Sequence, residues 1–377
     1  MSEARPVLIM AGGTGGHVFP ALAVAERLRE RGVPVVWMGT RRGLEATLVP
    51  KAGIPMEWIG VAGLRGKGVR RLLAMPLMLG RALWQAGTIL RRLRPRVVLG
   101  MGGFTSGPGG VVARSLGIPL VVHEQNAIAG LTNRWLARIA DRVLEAFPAT
   151  FPAARRAATV GNPVRAQHRA AAVLRPSGSP GATAGRRLLV VGGSQGALAL
   201  NRLVPQALAL LGESDCPEVW HQVGGQLREA AETAYRDAGV TARLTPFIED
   251  MADAYGWADL VLCRAGALTI AELAAAGVGS ILVPFPFAVD DHQTANARFL
   301  EQGGAALVRQ QAELTAESLA AILRELLGDR ARLSAHGRRG ATAGQSRSRR
   351  AGGGGLSGTG ACVTDGYNDE SGGRRYG

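Results

Sequence analysis

The chain has 377 residues and a formal net charge of +15, from 44 Lys and Arg against 29 Asp and Glu. That length suits two domains of ~100–200 residues each. Three scattered cysteines, Cys216, Cys263 and Cys362, exclude a disulfide framework or a zinc knuckle, and aromatics at 5% do not furnish the stacking platform of a nucleic-acid reader. The start reads as no signal peptide, because the apolar run after Arg5 breaks at Gly12. No apolar run of ~20 residues is free of charge and breakers, so no transmembrane helix is expected.

In chain order, VLIMA reads as a buried strand, and a helix is expected from about Val18. Between them lies GGTGGH. Gly12, Gly13, Gly15 and Gly16 let the backbone approach a ligand closely, and the following helix points its first amides there. The spacing is neither a dinucleotide fingerprint nor a Walker loop. The turn ends in His17, where helix amides disfavour the imidazolium; a neutral imidazole facing a cleft suits general-base work. VPVVWMG follows as a second strand. The segment from Leu64 then carries Arg65, Lys67, Arg70 and Arg71 beside an apolar set of Met75, Leu79, Leu83 and Trp84. An apolar face rimmed by cations suits anionic lipid head groups.

VVLGMG leads into a second glycine-rich turn, GMGGFTSGPGG, with Gly102 and Gly103. IPLVVHE ends in HEQN, a polar run that includes Glu124 and Asn126 and calls for a cleft or internal hydrogen bonds. After RVLEAF, the stretch AAVLRPSGSPGATAGR has no periodicity and reads as a linker. The pattern then restarts. RRLLVVGG, the turn GGSQGA and the helix LALNRLVPQALALLG repeat the strand–turn–helix layout, followed by strands VWHQVGG, ARLTPF, LVLCRA and SILVPF. In RAGALTIAELAAAG, Glu272 falls one turn into a helix, where it either matches the helix dipole or takes ribose hydroxyls. The cluster Asp290, Asp291, His292 invites a metal reading, but no matched ligands accompany it, so no metal is expected. Beyond about Gly337 no apolar period survives, and the tail is expected to be disordered.

Continuous Val/Ile/Leu strands alternating with helices indicate an α/β protein with doubly wound parallel sheets, occurring twice. The expected division is 1–164, 165–336 and a tail, 337–377. The default ligand site is a cleft facing the C-terminal strand ends of both domains.

Taken together, AGGTGGHVFPALAVA, GLRGKG, GMGGFTSGPGG, HEQNA, VGNPVR, GGSQGA, RAGALTIAEL and DDHQTANA resemble one family in this order. It is the bacterial peptidoglycan glycosyltransferases that add N-acetylglucosamine to lipid I, the undecaprenyl-diphospho-muramoylpentapeptide, to give lipid II. The resemblance, from about Val7 to about Ser334, implies two Rossmann-like domains in a GT-B fold and an inverting reaction with UDP-N-acetylglucosamine as donor and no cofactor. It also implies a peripheral enzyme on the cytoplasmic face of the inner membrane. By motif match it implies Thr14, Gly15, Gly16, Asn126, Arg165, Ser194, Ile248, Ala267, Leu268, Thr269, Ile270, Ala271, Glu272 and Gln293 as donor contacts. Gly12, Gly13, Gly102 and Gly103 would cradle the acceptor diphosphate, and His17 would be the base, with Glu124 as second choice. The pattern departs from the family after residue 335, where an amphipathic helix is implied and Gly, Arg and Ser stand instead. Rival readings are an epimerase or a lipid glycosyltransferase of the same fold, and a non-catalytic basic protein binding membrane or nucleic acid.

Overall fold

The computed structural model describes residues 5–60, 69–164, 186–193, 196–329, 331–333, 335–340 and 342, with the backbone alone for 69–74 and 289. The chain divides into two compact units, the first ending at Pro163 and the second beginning at Val164.

The first unit is a seven-stranded sheet in the order β3-β2-β1-β4-β5-β6-β7. Its strands are β1 (Val7–Met10), β2 (Val35–Gly39), β3 (Met56–Trp58), β4 (Val97–Gly100), β5 (Leu120–Glu124), β6 (Arg142–Glu145) and β7 (Ala158–Thr159). Every pairing is parallel, and β1 lies between β2 and β4, with Ile9 opposite Trp37 and Leu99. β1 and β4 are buried along their whole length because helices cover both faces. On one face Val18, Val24 and Leu28 pack on Ile9, Trp37 and Leu99; on the other Ala86, Leu90 and Ala113 pack on Leu8, Val98 and Val122.

The second unit is a six-stranded parallel sheet in the order β10-β9-β8-β11-β12-β13. Its strands are β8 (Arg187–Val191), β9 (Glu218–Gln222), β10 (Arg243–Thr245), β11 (Leu260–Cys263), β12 (Gly279–Leu282) and β13 (Ala306–Val308). The helices Leu198–Ala209 and Ala316–Gly328 bury Leu200, Val204, Leu319 and Leu323 against Leu188, Leu262 and Ile281.

All ten strands expected from the sequence form. The three additional ones, β3, β7 and β13, are sheet edges of two or three residues, mostly half-buried, and so carry no continuous apolar run. The first helix begins at Gly15 rather than at about Val18, so Gly15, Gly16 and His17 occupy its first turn. The PGG of the second glycine turn belongs to the helix Ser106–Ser115. A Cβ at Gly109 would collide with Met10 and Met38, and one at Gly110 would reach Leu136 at 2.7 Å, so these two glycines admit close helix–sheet packing. Residues 335–340 are helical, and a Cβ on Gly337 would strike the Gly277 carbonyl.

Candidate active site

Because each sheet is parallel, the turns after successive strands collect at one edge, as in other doubly wound folds. In the first unit the turn after β1 is braced from below. Glu45, fully buried, begins the short helix after β2. Its Oε2 accepts the Gly13 N–H at 3.0 Å, and its Oε1 accepts the Thr40 N–H at 3.1 Å and the Thr40 hydroxyl at 2.7 Å. The Trp37 indole adds a bond to the Ala11 carbonyl at 2.9 Å. Nothing in the local sequence pattern announces Glu45.

These contacts bear on the glycines expected to cradle a diphosphate. The Gly13 amide is occupied by Glu45. Gly102 and Gly103, at φ +95 and +86, pack beneath the first turn: a Cβ on Gly102 would lie 2.8 Å from the His17 ring, and one on Gly103 2.5 Å from the Gly12 carbonyl oxygen. These glycines shape the turn and seat the imidazole. Gly15 and Gly16 fall in the helix's first turn, where their amides have no intrahelical acceptor.

His17 is half-buried, and its Nδ1 lies 3.0 Å from Gln125 Oε1. Gln125 was not singled out from the sequence, although it stands inside HEQN. Glu124 is 1% exposed, and four donors fill its oxygens: the Asn126 N–H and amide group, the Gly130 N–H and the Asn133 amide, at 2.8–3.2 Å. That set makes Glu124 the anchor of the loop after β5 and holds Asn126 at the same strand edge as His17.

In the second unit the turn after β8 has the same design with a neutral brace. Gln222, 3% exposed at the end of β9, accepts the Gly193 N–H at 3.1 Å and donates to the Gly193 carbonyl at 2.8 Å and the Pro246 carbonyl at 3.2 Å. Ile248 is buried in the segment after β10. The helix Ala267–Ala276 starts directly after β11 from an extended Gly266, so Ala267, Leu268, Thr269 and Ile270 form its first turn and Ala271 follows. Glu272, half-buried, accepts a 3.1 Å bond from the hydroxyl of Tyr255. Burial, reinforced by that carboxylate, pushes the Tyr255 phenol well above its ordinary pKa, so it remains a donor. Arg264 ties the same edge together, donating to the Val283 and Pro284 carbonyls at 3.2 Å and to Gln311 at 2.6 Å. Gln293 Oε1 accepts the Phe285 N–H at 2.9 Å.

Ser194 and Arg165 lie outside the described residues, as do Arg65 and Lys67, and nothing is described of the Arg70 and Arg71 side chains. The helix Val69–Leu93 runs unbroken through Pro76. It buries Ala82, Ala86, Ile89 and Leu90 and exposes Leu77 at 80%, Trp84 at 71% and Leu79 at 48%; Met75 and Leu83 are half-buried. Among the described residues, no helix is long and apolar enough to cross a membrane, and no group of three or more His, Cys, Asp or Glu side chains is placed to hold a metal.

Residues 7–145 match the family model for the glycosyltransferase family 28 N-terminal domain, and residues 187–348 that for its C-terminal domain. The chain belongs to glycosyltransferase family 28. A relative from Nitrosococcus oceani is 60% identical over 86% of this chain and 90% of its own. Another from Alkalilimnicola ehrlichii is 60% identical over 87% of this chain and 91% of its own. Both are named UDP-N-acetylglucosamine--N-acetylmuramyl-(pentapeptide) pyrophosphoryl-undecaprenol N-acetylglucosamine transferase. The crystal structure of Acinetobacter baumannii MurG is 41% identical, with a TM-score of 0.77 over 96% of this chain and 99% of that one. The two units are thus the Rossmann-like domains of a GT-B glycosyltransferase.

Proposed function

We propose that this family 28 enzyme transfers N-acetylglucosamine from UDP-N-acetylglucosamine to the C4 hydroxyl of the muramoyl sugar of lipid I, forming lipid II with inversion in peptidoglycan biosynthesis. The observation that carries the reading is 60% identity to relatives named for that transfer, across 90% of their length.

In this reading His17 removes the proton from the C4 hydroxyl as its oxygen attacks the anomeric carbon, and UDP leaves with the bonding pair. His17 is preferred to Glu124 because it is half-buried at a turn, whereas Glu124 is enclosed by its four donors. The first turn of the helix after β11 and the turn braced by Gln222, with Ser194 and Arg165, stabilise the diphosphate as its charge grows. Glu272, oriented by Tyr255, takes the ribose hydroxyls; the backbone at Ile248 reads uracil; the Gln293 amide nitrogen donates to a sugar hydroxyl. The amides of Gly15 and Gly16, with Thr14 and Asn126, complete the donor contacts from the first unit. The acceptor is lipid-linked, so the exposed Leu77, Leu79 and Trp84, flanked by the basic segment, rest on the anionic inner membrane at its cytoplasmic face.

The test is UDP release from UDP-N-acetylglucosamine with and without a lipid I analogue. Acceptor-dependent release is expected, and His17→Ala lowers kcat by ~10²–10⁴-fold. Release without acceptor, or epimerised donor, would overturn the assignment.

A further inference from the structure

A line of polar groups runs inward from His17. His17 Nδ1 is 3.0 Å from Gln125 Oε1, Gln125 Nε2 is 3.1 Å from His123 Nδ1, and His123 Nε2 is 3.1 Å from the Gly161 carbonyl oxygen. Gln125 is 1% exposed and His123 fully buried, so protein groups set their hydrogen bonding.

The chemistry of the far end assigns every proton in the line. A carbonyl oxygen only accepts, so the bond to Gly161 places a hydrogen on His123 Nε2. Burial pushes the His123 pKa below its ordinary value and keeps the ring neutral. Its Nδ1 therefore bears a lone pair and accepts. That turns the Gln125 amide nitrogen toward His123, an orientation supported by its second bond, to the His123 carbonyl at 3.1 Å. The Gln125 oxygen then faces His17, and because it only accepts, His17 Nδ1 carries the hydrogen. A neutral imidazole protonated on Nδ1 has its basic lone pair on Nε2.

We infer that Gln125 and His123 are positioning residues that read the Gly161 carbonyl and fix His17 in the tautomer whose lone pair lies on Nε2. An unconstrained histidine side chain favours the opposite tautomer, so the line works against the intrinsic preference. Side-chain bonds to its backbone hold it in register: the Asn162 amide donates to the Gln125 carbonyl at 3.0 Å and the Asn133 amide to the His123 carbonyl at 3.2 Å. The catalytic consequence rests on His17 being the base; the tautomer itself does not. In the serine-protease triad, a histidine held in the wrong tautomer costs ~10⁴-fold in kcat.

The decisive measurement is an imidazole ¹⁵N–¹H correlation spectrum of the full chain labelled with ¹⁵N-histidine, at about pH 8, where histidines are neutral. His17 is expected in the Nδ1–H pattern and His123 in the Nε2–H pattern. Gln125→Glu, which keeps an acceptor beside His17, retains the Nδ1–H pattern. Gln125→Leu shifts His17 toward Nε2–H and lowers kcat ~10- to 10³-fold with the KM for UDP-N-acetylglucosamine unchanged. A purely structural role for Gln125 would not move the tautomer. An Nε2–H pattern for His17 in the unmutated chain overturns the inference, and that spectrum decides it even if the leucine variant does not fold. Full activity in His17→Ala would instead defeat the base assignment while leaving the tautomer assignment standing.

Discussion

Glu45→Gln isolates the brace beneath the first glycine turn. The carboxylate is fully buried and holds three donors, one on Oε2 and two on Oε1. An amide has one carbonyl oxygen. Turned to Thr40, it sets its NH₂ against the Gly13 N–H; turned to Gly13, it sets the NH₂ against the Thr40 N–H. In either case one backbone donor loses its acceptor, and the bonds that remain become neutral. Losing one charge-assisted bond costs ~1.5–3 kcal/mol. In a unit of this size each kcal/mol moves Tm by ~2–4 °C, so the first unit's calorimetric transition should fall by roughly 4–10 °C. The turn that seats His17 loosens with it, so kcat drops. Titration with UDP should change little, because the groups assigned to uracil, ribose and the leaving diphosphate lie in the second unit. A transition within about 1 °C of the parent would refute the reasoning, since it would mean that the three bonds contribute nothing.

Gly103→Ala should destabilise the first unit by ~1–3 kcal/mol in urea unfolding, because it forces a side chain at φ +86 onto the Gly12 carbonyl 2.5 Å away. Tyr255→Phe removes the 3.1 Å bond that orients Glu272; UDP affinity measured by calorimetry should fall ~3–10-fold, near 1 kcal/mol. His221 is buried in the second unit with its pKa lowered to about 3 by desolvation. The unfolded chain therefore binds one more proton than the folded chain between about pH 6.5 and about pH 3. The stabilisation is complete above about pH 6.5 and is lost as pH falls through that window, at ~1.4 kcal/mol per pH unit. His221→Phe should flatten that acid limb of unfolding; an unchanged slope would reject the assignment.

How much of this was legible in the sequence depended on the range over which the causes act. β1, β4, β8 and β11 could be read because strands covered on both faces need uninterrupted apolar runs, and each has one. β3, β7 and β13 escaped because an edge strand needs neither length nor full burial. His17 and Glu272 stood out through local context, a glycine turn and a helix start. Glu45, Gln222 and Tyr255 did not. Each acts on a partner far along the chain, Glu45 on Gly13 across 32 residues and Gln222 on Gly193 across 29, and no periodicity encodes such a pairing. Gln125 lay within a conspicuous motif, but its role needs the carbonyl of Gly161, which only the sheet brings to His123.

The two glycine turns share one mechanical device with different electrical consequences. Both use a buried side chain to accept the second glycine's N–H, Glu45 at 3.0 Å and Gln222 at 3.1 Å. The first places a carboxylate beneath its turn; the second places a neutral amide. A phosphate brought within ~4–6 Å of a like charge incurs ~3–4 kcal/mol at an effective dielectric constant of about 20, which the second turn avoids. This favours the proposed placement of the leaving diphosphate at the turn braced by Gln222. The turn braced by Glu45 is better suited to a neutral hydroxyl. In the proposed reaction, turns that look alike in sequence are thereby assigned different parts, the leaving group to the second and the nucleophile to the first.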